Sequence, residues 1–226
     1  MDAPVGLRER KKERTRRLIA DTALRLFLER GFDAVSVNDV AVAAEVSKPT
    51  LFRYFASKDD LVLARFADHQ GEAARVVRAR AVGQTPVAAL RDHFLAGLRD
   101  RDPITGLNDA PSVLAFQHLI YTTPSLETRL LHHTGRDIDL LTAALRETGH
   151  ADVGDVILRL VATHLITVQQ VLGRENWRKI VSGRTADDAC PEALADADQA
   201  YTVLAAGLDA ALFASATPTP PTPHST

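Results

Sequence analysis

Apolar side chains recur every three to four residues along most of this chain, the spacing of helices that each bury one face. From about Arg10 to Arg30, Ile19, Ala23, Leu26 and Phe27 fall on one side, and Gly31 ends the run. With Gly31 at C′, Phe32 takes C″ and Phe27 takes C3, the apolar pairing of a Schellman ending. Three helix starts follow closely. Ser36 precedes Asp39 by three, with Val35 and Val40 in staple positions; Ser47 is framed by Val46 and Leu51; Ser57 is framed by Ala56 and Leu61, with Asp60 at N3. Asp59 and Asp60 also suit the positive end of that third helix. The first two helices, about 36–43 and 47–55, are too short to stand alone in water and must pack on the long first one. A compact three-helix unit is expected, with a turn at Ala44, Glu45 and Val46.

Beyond Ser57 the pattern gives longer helices at about 58–82, 86–101, 111–121, 125–148, 152–175 and 192–214. Breaks are expected at Gly83 and Pro86, between Arg101 and Pro111, at Pro124, at Gly149, and between Ser182 and Pro191. The Pro/Thr-rich end from Thr217 reads as an extended, solvated tail. The expected fold is all-α: an N-terminal basic arm and helix-turn-helix over 1–56, a helical bundle for ligand binding and dimerisation over 57–214, and a disordered tail over 215–226. Within the bundle, Leu158, Leu165 and Leu172 repeat every seven beside Val161 and Val168, and Tyr201, Leu204, Leu208 and Leu212 form a second stripe. These helices are apolar on more than one face, so each needs two partners. An identical helix across a two-fold axis would supply the second and make a homodimer; a helix buried in the middle of one monomer is the alternative.

Charge sharpens the picture. The whole chain carries a formal −2, but its first 17 residues hold Arg8, Arg10, Lys11, Lys12, Arg14, Arg16 and Arg17 against three acids. A basic end on a mildly acidic body suits an anionic partner there. Cys190 is the single cysteine, which excludes an internal disulfide and fits a reducing cytoplasm. The start has no signal-peptide pattern. The longest apolar region, Val153 to Leu172, is interrupted by Asp155, Arg159, His164, Gln169 and Gln170, a poor membrane span. A soluble, cytoplasmic protein without a membrane partner is expected.

Two short helices about a three- or four-residue turn make a helix-turn-helix, whose second helix can enter the major groove of DNA. At 100° per residue, Leu51 and Phe55 point inward while Pro49, Thr50 and Arg53 point away, flanked by Phe52 and Tyr54. That face suits base edges and phosphates. The Ser47 cap and Lys58 beside the Ser57 cap are candidate phosphate contacts.

The stretch Phe32-Asp33-Ala34-Val35-Ser36-Val37-Asn38-Asp39-Val40-Ala41, with Val46-Ser47-Lys48-Pro49-Thr50-Leu51-Phe52-Arg53-Tyr54-Phe55-Ala56-Ser57-Lys58, closely resembles the DNA-binding domain of TetR-family regulators. The resemblance covers about residues 10–65. It implies an all-helical homodimer that binds a palindromic double-stranded DNA operator, usually as a repressor, and lets go when a small molecule occupies the C-terminal domain. By position it implies that Thr50 contacts a base with Lys48 and Pro49 beside it. Phe52 and Tyr54 would lie on the sugar-phosphate backbone, Ser36 and Ser47 would cap and touch phosphates, and Lys58 would take another phosphate. This chain departs from the family at Glu45, where Gly is usual in the turn, and at Phe52, where Tyr is common. A looser turn and the loss of one phosphate hydrogen bond are the expected results.

The effector is less legible. Phe94, Phe116, His118, Tyr121, His164 and Gln169 are the candidate pocket residues on the intervening helices. Thr123-Pro124-Ser125-Leu126-Glu127-Thr128-Arg129 is similar to TetR members with an acyl-CoA-like ligand domain, which would imply a long apolar channel with a basic mouth. His132 and His133 are adjacent and point about 100° apart, a poor metal pair. The chain shows no phosphate loop, zinc-ligand spacing or nucleophile elbow, so no cofactor, metal or catalytic residue is expected.

Overall fold

The computed structural model describes residues 6–64, 69–149 and 153–213, with Leu7 and 208–213 as backbone only. Its regular elements are all helical: α1 (Leu7–Arg30), α2 (Val37–Ala43), α3 (Lys48–Tyr54), α4 (Lys58–Val62), α5 (Glu72–Ala79), α6 (Pro86–Arg99), α7 (Pro111–Thr122), α8 (Pro124–Glu147), α9 (Asp155–Val181) and α10 (Ala186–Phe213). One 3₁₀ turn, Pro103–Thr105, lies between α6 and α7. The chain forms two compact units, Met1–Gln70 with Ala110–His133, and Gly71–Asp109 with Thr134–Thr226.

The first unit is built on α1, against which α2, α4 and α7 pack. Ile19, Ala23, Leu24, Leu26 and Phe27 of α1 share one core with Val40 and Ala41 of α2, Leu51 of α3, Phe55, and Leu61 and Val62 of α4. Phe116, Ile120 and Leu126 belong to that core too. A boundary at 56/57 is therefore not where this unit ends: residues 57–64 and the helices from 110 to 133 complete it. The expected long helix at 58–82 does not run through: α4 ends at Val62 and α5 begins at Glu72. Gly71, with φ 73°, caps the start of α5, and its N–H donates to Asp137 Oδ1 at 2.8 Å. The ending of α1 also differs from expectation. Gly31 is the C-cap itself, at φ 88° and ψ 145°, and its N–H makes a single bond to the Phe27 carbonyl at 2.9 Å. No Schellman turn forms there, yet the Phe27 and Phe32 rings meet with centroids 5.1 Å apart.

In the second unit α6 and α9 both pack on α10, and α5 packs on α6. Ala189, Ala193 and Ala197 of α10 are all buried at four-residue spacing, followed by Tyr201; small side chains in that row let the neighbouring helix axes approach. The 3₁₀ turn sits on α9 with almost no clearance. A Cβ on Gly106, where φ is +73°, would lie 1.9 Å from the Gly173 carbonyl oxygen. Asn176 Nδ2 donates to the Thr105 carbonyl at 2.9 Å with both residues buried. Helix α10 starts at 186, earlier than expected, because Thr185 Oγ1 accepts the Asp188 N–H at 3.1 Å and Asp109 Oδ2 accepts the Ala186 N–H at 2.8 Å. Pro191 then lies inside it. Helix α9 runs on to Val181, and an 18-residue stretch of it, with a mean hydropathy of 1.5, compares with a membrane span. Here it is the core helix of the unit, with Leu158, Val161, Ala162, Leu165 and Leu172 buried.

Candidate nucleic-acid interface

The start of α2 is closed by a complete capping box. Ser36 Oγ accepts the Asp39 N–H at 3.1 Å, and Asp39 Oδ2 accepts the Ser36 N–H at 2.8 Å. Ser36 also donates its hydroxyl proton to the same carboxylate oxygen at 2.6 Å. These two bonds from Ser36, the hydroxyl first, hold the Asp39 carboxyl below the ordinary aspartate range. Ser36, expected to reach a phosphate, thus has its proton engaged within its own cap.

The turn after α2 is tight. Glu45 takes φ 54°, its N–H donates to the Val42 carbonyl at 3.1 Å, and the Val46 N–H donates to the Ala41 carbonyl at 2.9 Å. Those two bonds are the 5→2 and 6→1 bonds of a Schellman motif with Glu45 at C′. The loosening expected from Glu in place of Gly does not occur. Instead a non-glycine residue is held in the left-handed region, where its Cβ crowds the following carbonyl.

Helix α3 is rotated as the spacing requires. Leu51 is 0% exposed and Phe55 3%, while Lys48, Pro49, Phe52 and Arg53 are exposed and Thr50 and Tyr54 half-buried. Ser47 caps the helix by accepting the Thr50 N–H at 3.2 Å, and its hydroxyl lies 2.8 Å from that of Thr50. Pro49 sits in the first turn, where no intrahelical N–H is needed. The Arg53 guanidinium lies over the Tyr54 ring at 5.4 Å, and that of Arg16 over Phe55 at 5.5 Å. The basic residues near the N-terminus belong to α1 from Leu7 onward rather than to a loose arm, and Lys12 and Arg17 pair along the helix with Glu9 and Glu13.

Helix α4 follows, capped by Ser57, which accepts the Asp60 N–H at 3.1 Å. Lys58, assigned to a phosphate by resemblance, holds its ammonium 4.2 Å from the centroid of Phe32 and 5.6 Å from that of Phe27. Asp59 and Asp60 do more than face the helix dipole. Ser125 Oγ donates to Asp59 Oδ1 at 2.9 Å, and Arg129 donates to Asp60 Oδ1 through Nε at 2.9 Å and Nη2 at 2.8 Å. These contacts span more than sixty residues of sequence, and no local pattern announces them. They also place the 123–129 segment: Leu126 is fully buried in the first unit's core and Arg129 is engaged with Asp60.

The six candidate effector residues are divided between the two units, three in each. Phe116 is core of the first unit, His118 is exposed and Tyr121 is half-buried there. In the second unit His164 is exposed, its Nδ1 2.7 Å from the Leu160 carbonyl. Phe94 and Gln169 flank a residue not singled out as a ligand contact, Tyr201, whose ring lies 6.3 Å from that of Phe94. Burial pushes the Tyr201 phenol up, nearby Gln169 offsets this only in part, and the buried hydroxyl has no hydrogen-bond partner among the described residues. Of the stripe expected to face a second subunit, Leu158, Val161, Leu165, Leu172 and Tyr201 are buried inside this chain and Val168 and Leu204 are half-buried; the side chains of Leu208 and Leu212 lie outside the described residues. The heptad-spaced residues pack within the unit. Among the described residues, the large apolar side chains of α9 and α10 that are exposed are Val156, Ile157, Leu160, Val171, Val181 and Val203. The 215–226 tail also lies outside the described residues.

A fully capped α2, a Schellman turn and an α3 that exposes Lys48, Pro49, Phe52 and Arg53 over buried Leu51 and Phe55 define a helix-turn-helix DNA-binding protein. Residues 19–64 match the bacterial regulatory proteins of the tetR family. The transcriptional regulator TcmR of Streptomyces glaucescens is 30% identical over 172 residues, covering 75% of this chain and 76% of TcmR. The chain belongs to the TetR family of transcriptional regulators. Among solved structures, GusR of Salmonella enterica is similar with a TM-score of 0.55 at 22% identity, over 86% of this chain and 95% of GusR. NalD, the secondary repressor of the MexAB-OprM multidrug efflux pump in Pseudomonas aeruginosa, gives a TM-score of 0.54 at 18% identity, over 84% and 96%. Those two likenesses concern the fold.

Proposed function

We propose that this regulator is a cytoplasmic homodimer that represses transcription by binding a palindromic operator and is released by a small apolar effector. The exposed face of α3, with Lys48, Pro49, Phe52 and Arg53 outward and half-buried Thr50 and Tyr54 at its edges over buried Leu51 and Phe55, carries the reading. Thr50 and Arg53 serve as base-reading side chains and the flanking residues as backbone contacts. Ser36 and Ser47 act mainly by fixing the ends of α2 and α3, and Lys58 by fixing α4 against Phe27 and Phe32.

Dimerisation uses the outward stripe of α9 and α10, with Ile157, Leu160, Val171 and Val203 as apolar anchors. A two-fold protein matches a two-fold operator. In the second unit the buried Tyr201 hydroxyl with Gln169 and Phe94 is the polar point an apolar effector would address. Acyl-CoAs are one class to test, although Arg129, the basic residue of the segment that suggested them, is bound to Asp60.

Selection of duplexes from a randomised pool by the full chain tests the reading. Enrichment of a palindrome bound by a dimer supports it, and so does loss of both dimer and operator binding in Leu160→Asp. Binding of random duplexes as tightly as any selected one removes it. Release of the selected duplex by acyl-CoAs, fatty acids or planar aromatics then separates the effector classes.

A further inference from the structure

The inward direction of α3 is fixed by Leu51 and Phe55, at 0% and 3% exposure. At 100° per residue, the direction opposite them falls on Pro49 and Arg53, with Thr50 to one side. Pro49 offers no donor, so Arg53 is the donor-bearing side chain at the centre of the outward face. It is exposed, and among the described residues it has no carboxylate in ion-pair range. Its guanidinium is not loose either, because the Tyr54 ring lies 5.4 Å beneath it. Stacking on an aromatic ring holds the planar fork and reduces the freedom lost when it binds.

We infer that Arg53 reads a guanine in each half-site, donating two hydrogen bonds to O6 and N7 in the major groove. The inference rests on α3 being the recognition helix and adds which base it selects. Guanine presents two acceptors side by side on its major-groove edge, the pattern a guanidinium fork matches. A phosphate contact is the competing role, and it would favour no base.

The test uses the full chain and the duplex it selects from a randomised pool. Wild type is expected to require guanine at one position per half-site. Replacing that guanine by 7-deazaguanine, which lacks N7, should weaken wild-type binding roughly 5- to 50-fold, within the span expected for one bidentate contact. Arg53→Met keeps the length and apolar stem without any donor; it should lose preference at that position alone and be indifferent to 7-deazaguanine there. Circular dichroism melts check that the exposed substitution leaves the fold intact. Two results overturn the inference: wild-type binding insensitive to N7 removal at every guanine, or Arg53→Ala weakening selected and random duplexes alike while lowering the salt slope by about one counterion. A chain that enriches no sequence fails earlier, at the operator-binding reading, and takes the inference with it.

Discussion

Replacing Glu45 by Gly should stabilise this protein. Glu45 is exposed and sits at φ 54° in the turn between α2 and α3. A non-glycine residue in that region costs roughly 1–2 kcal/mol relative to its ordinary conformations. Glycine removes the strain but raises the entropy of the unfolded chain, worth about 0.5–1 kcal/mol in the other direction. The net gain is therefore about 0.5–1 kcal/mol. In a chain of 226 residues that is a rise in Tm of roughly 1–4 °C, measured by calorimetry at fixed protein concentration because the Tm of the proposed dimer would depend on it. Glu45→Ala is the necessary companion. It removes the same side chain and charge but leaves a Cβ in the left-handed region, so it should gain nothing in Tm. Both variants lose a negative charge beside the proposed DNA face, so both should bind random duplex more tightly at low salt. Equal Tm gains from Gly and Ala would place the effect in the side chain and refute the backbone argument, as would a lower Tm in Glu45→Gly.

Two further outcomes follow from other contacts. The Asp39 carboxyl is held below its ordinary value of 3.8 by the Ser36 hydroxyl and N–H; a depressed folded pKa adds stability that is present above the unfolded pKa and lost as pH falls through the folded one. Urea melts from about pH 6 to pH 3 should show the advantage of wild type over Asp39→Asn constant down to about pH 4 and shrinking below it, and an advantage that grows on acidification would contradict the assignment. Gly106→Ala puts a Cβ against the Gly173 carbonyl at 1.9 Å on a backbone already at positive φ, which should destabilise by about 3 kcal/mol, strain and overpacking together. Gly83→Ala, also at positive φ but with nothing within 4 Å, should lose only the strain of about 1 kcal/mol; equal losses at the two sites would show that the close approach does not matter.

The short helices were legible because each begins with a hydroxyl residue in a position that only a cap explains, and the alternation of Leu51 and Phe55 with polar neighbours fixed the rotation of α3. The turn was misjudged in one respect. Residue preference at Glu45 said loose, whereas the packing of Val40, Val46 and Leu51 into the first unit's core outweighs a strain of one or two kcal/mol. Contacts across long sequence separations were not legible. Nothing near Asp59 or Asp60 points to Ser125 and Arg129, and a stripe such as Phe116, Ile120 and Leu126 reads the same whichever unit it serves. The stripes on α9 and α10 show a related limit. Periodicity reveals that a helix has two apolar sides but not which side stays inside, and here the bulkier, more regular one does.

The fastening of α4 by Ser125 and Arg129, with Leu126 set into the same core, has a practical corollary for anyone building hybrid regulators. The reading head of this protein is not a cassette that ends where its last short helix ends. A graft that stops near residue 64 would leave behind Phe116, Ile120 and Leu126 of the same core and the Arg129 that neutralises Asp60. A transplantable head has to bring 110–133 along with it, and so has three seams to splice rather than one.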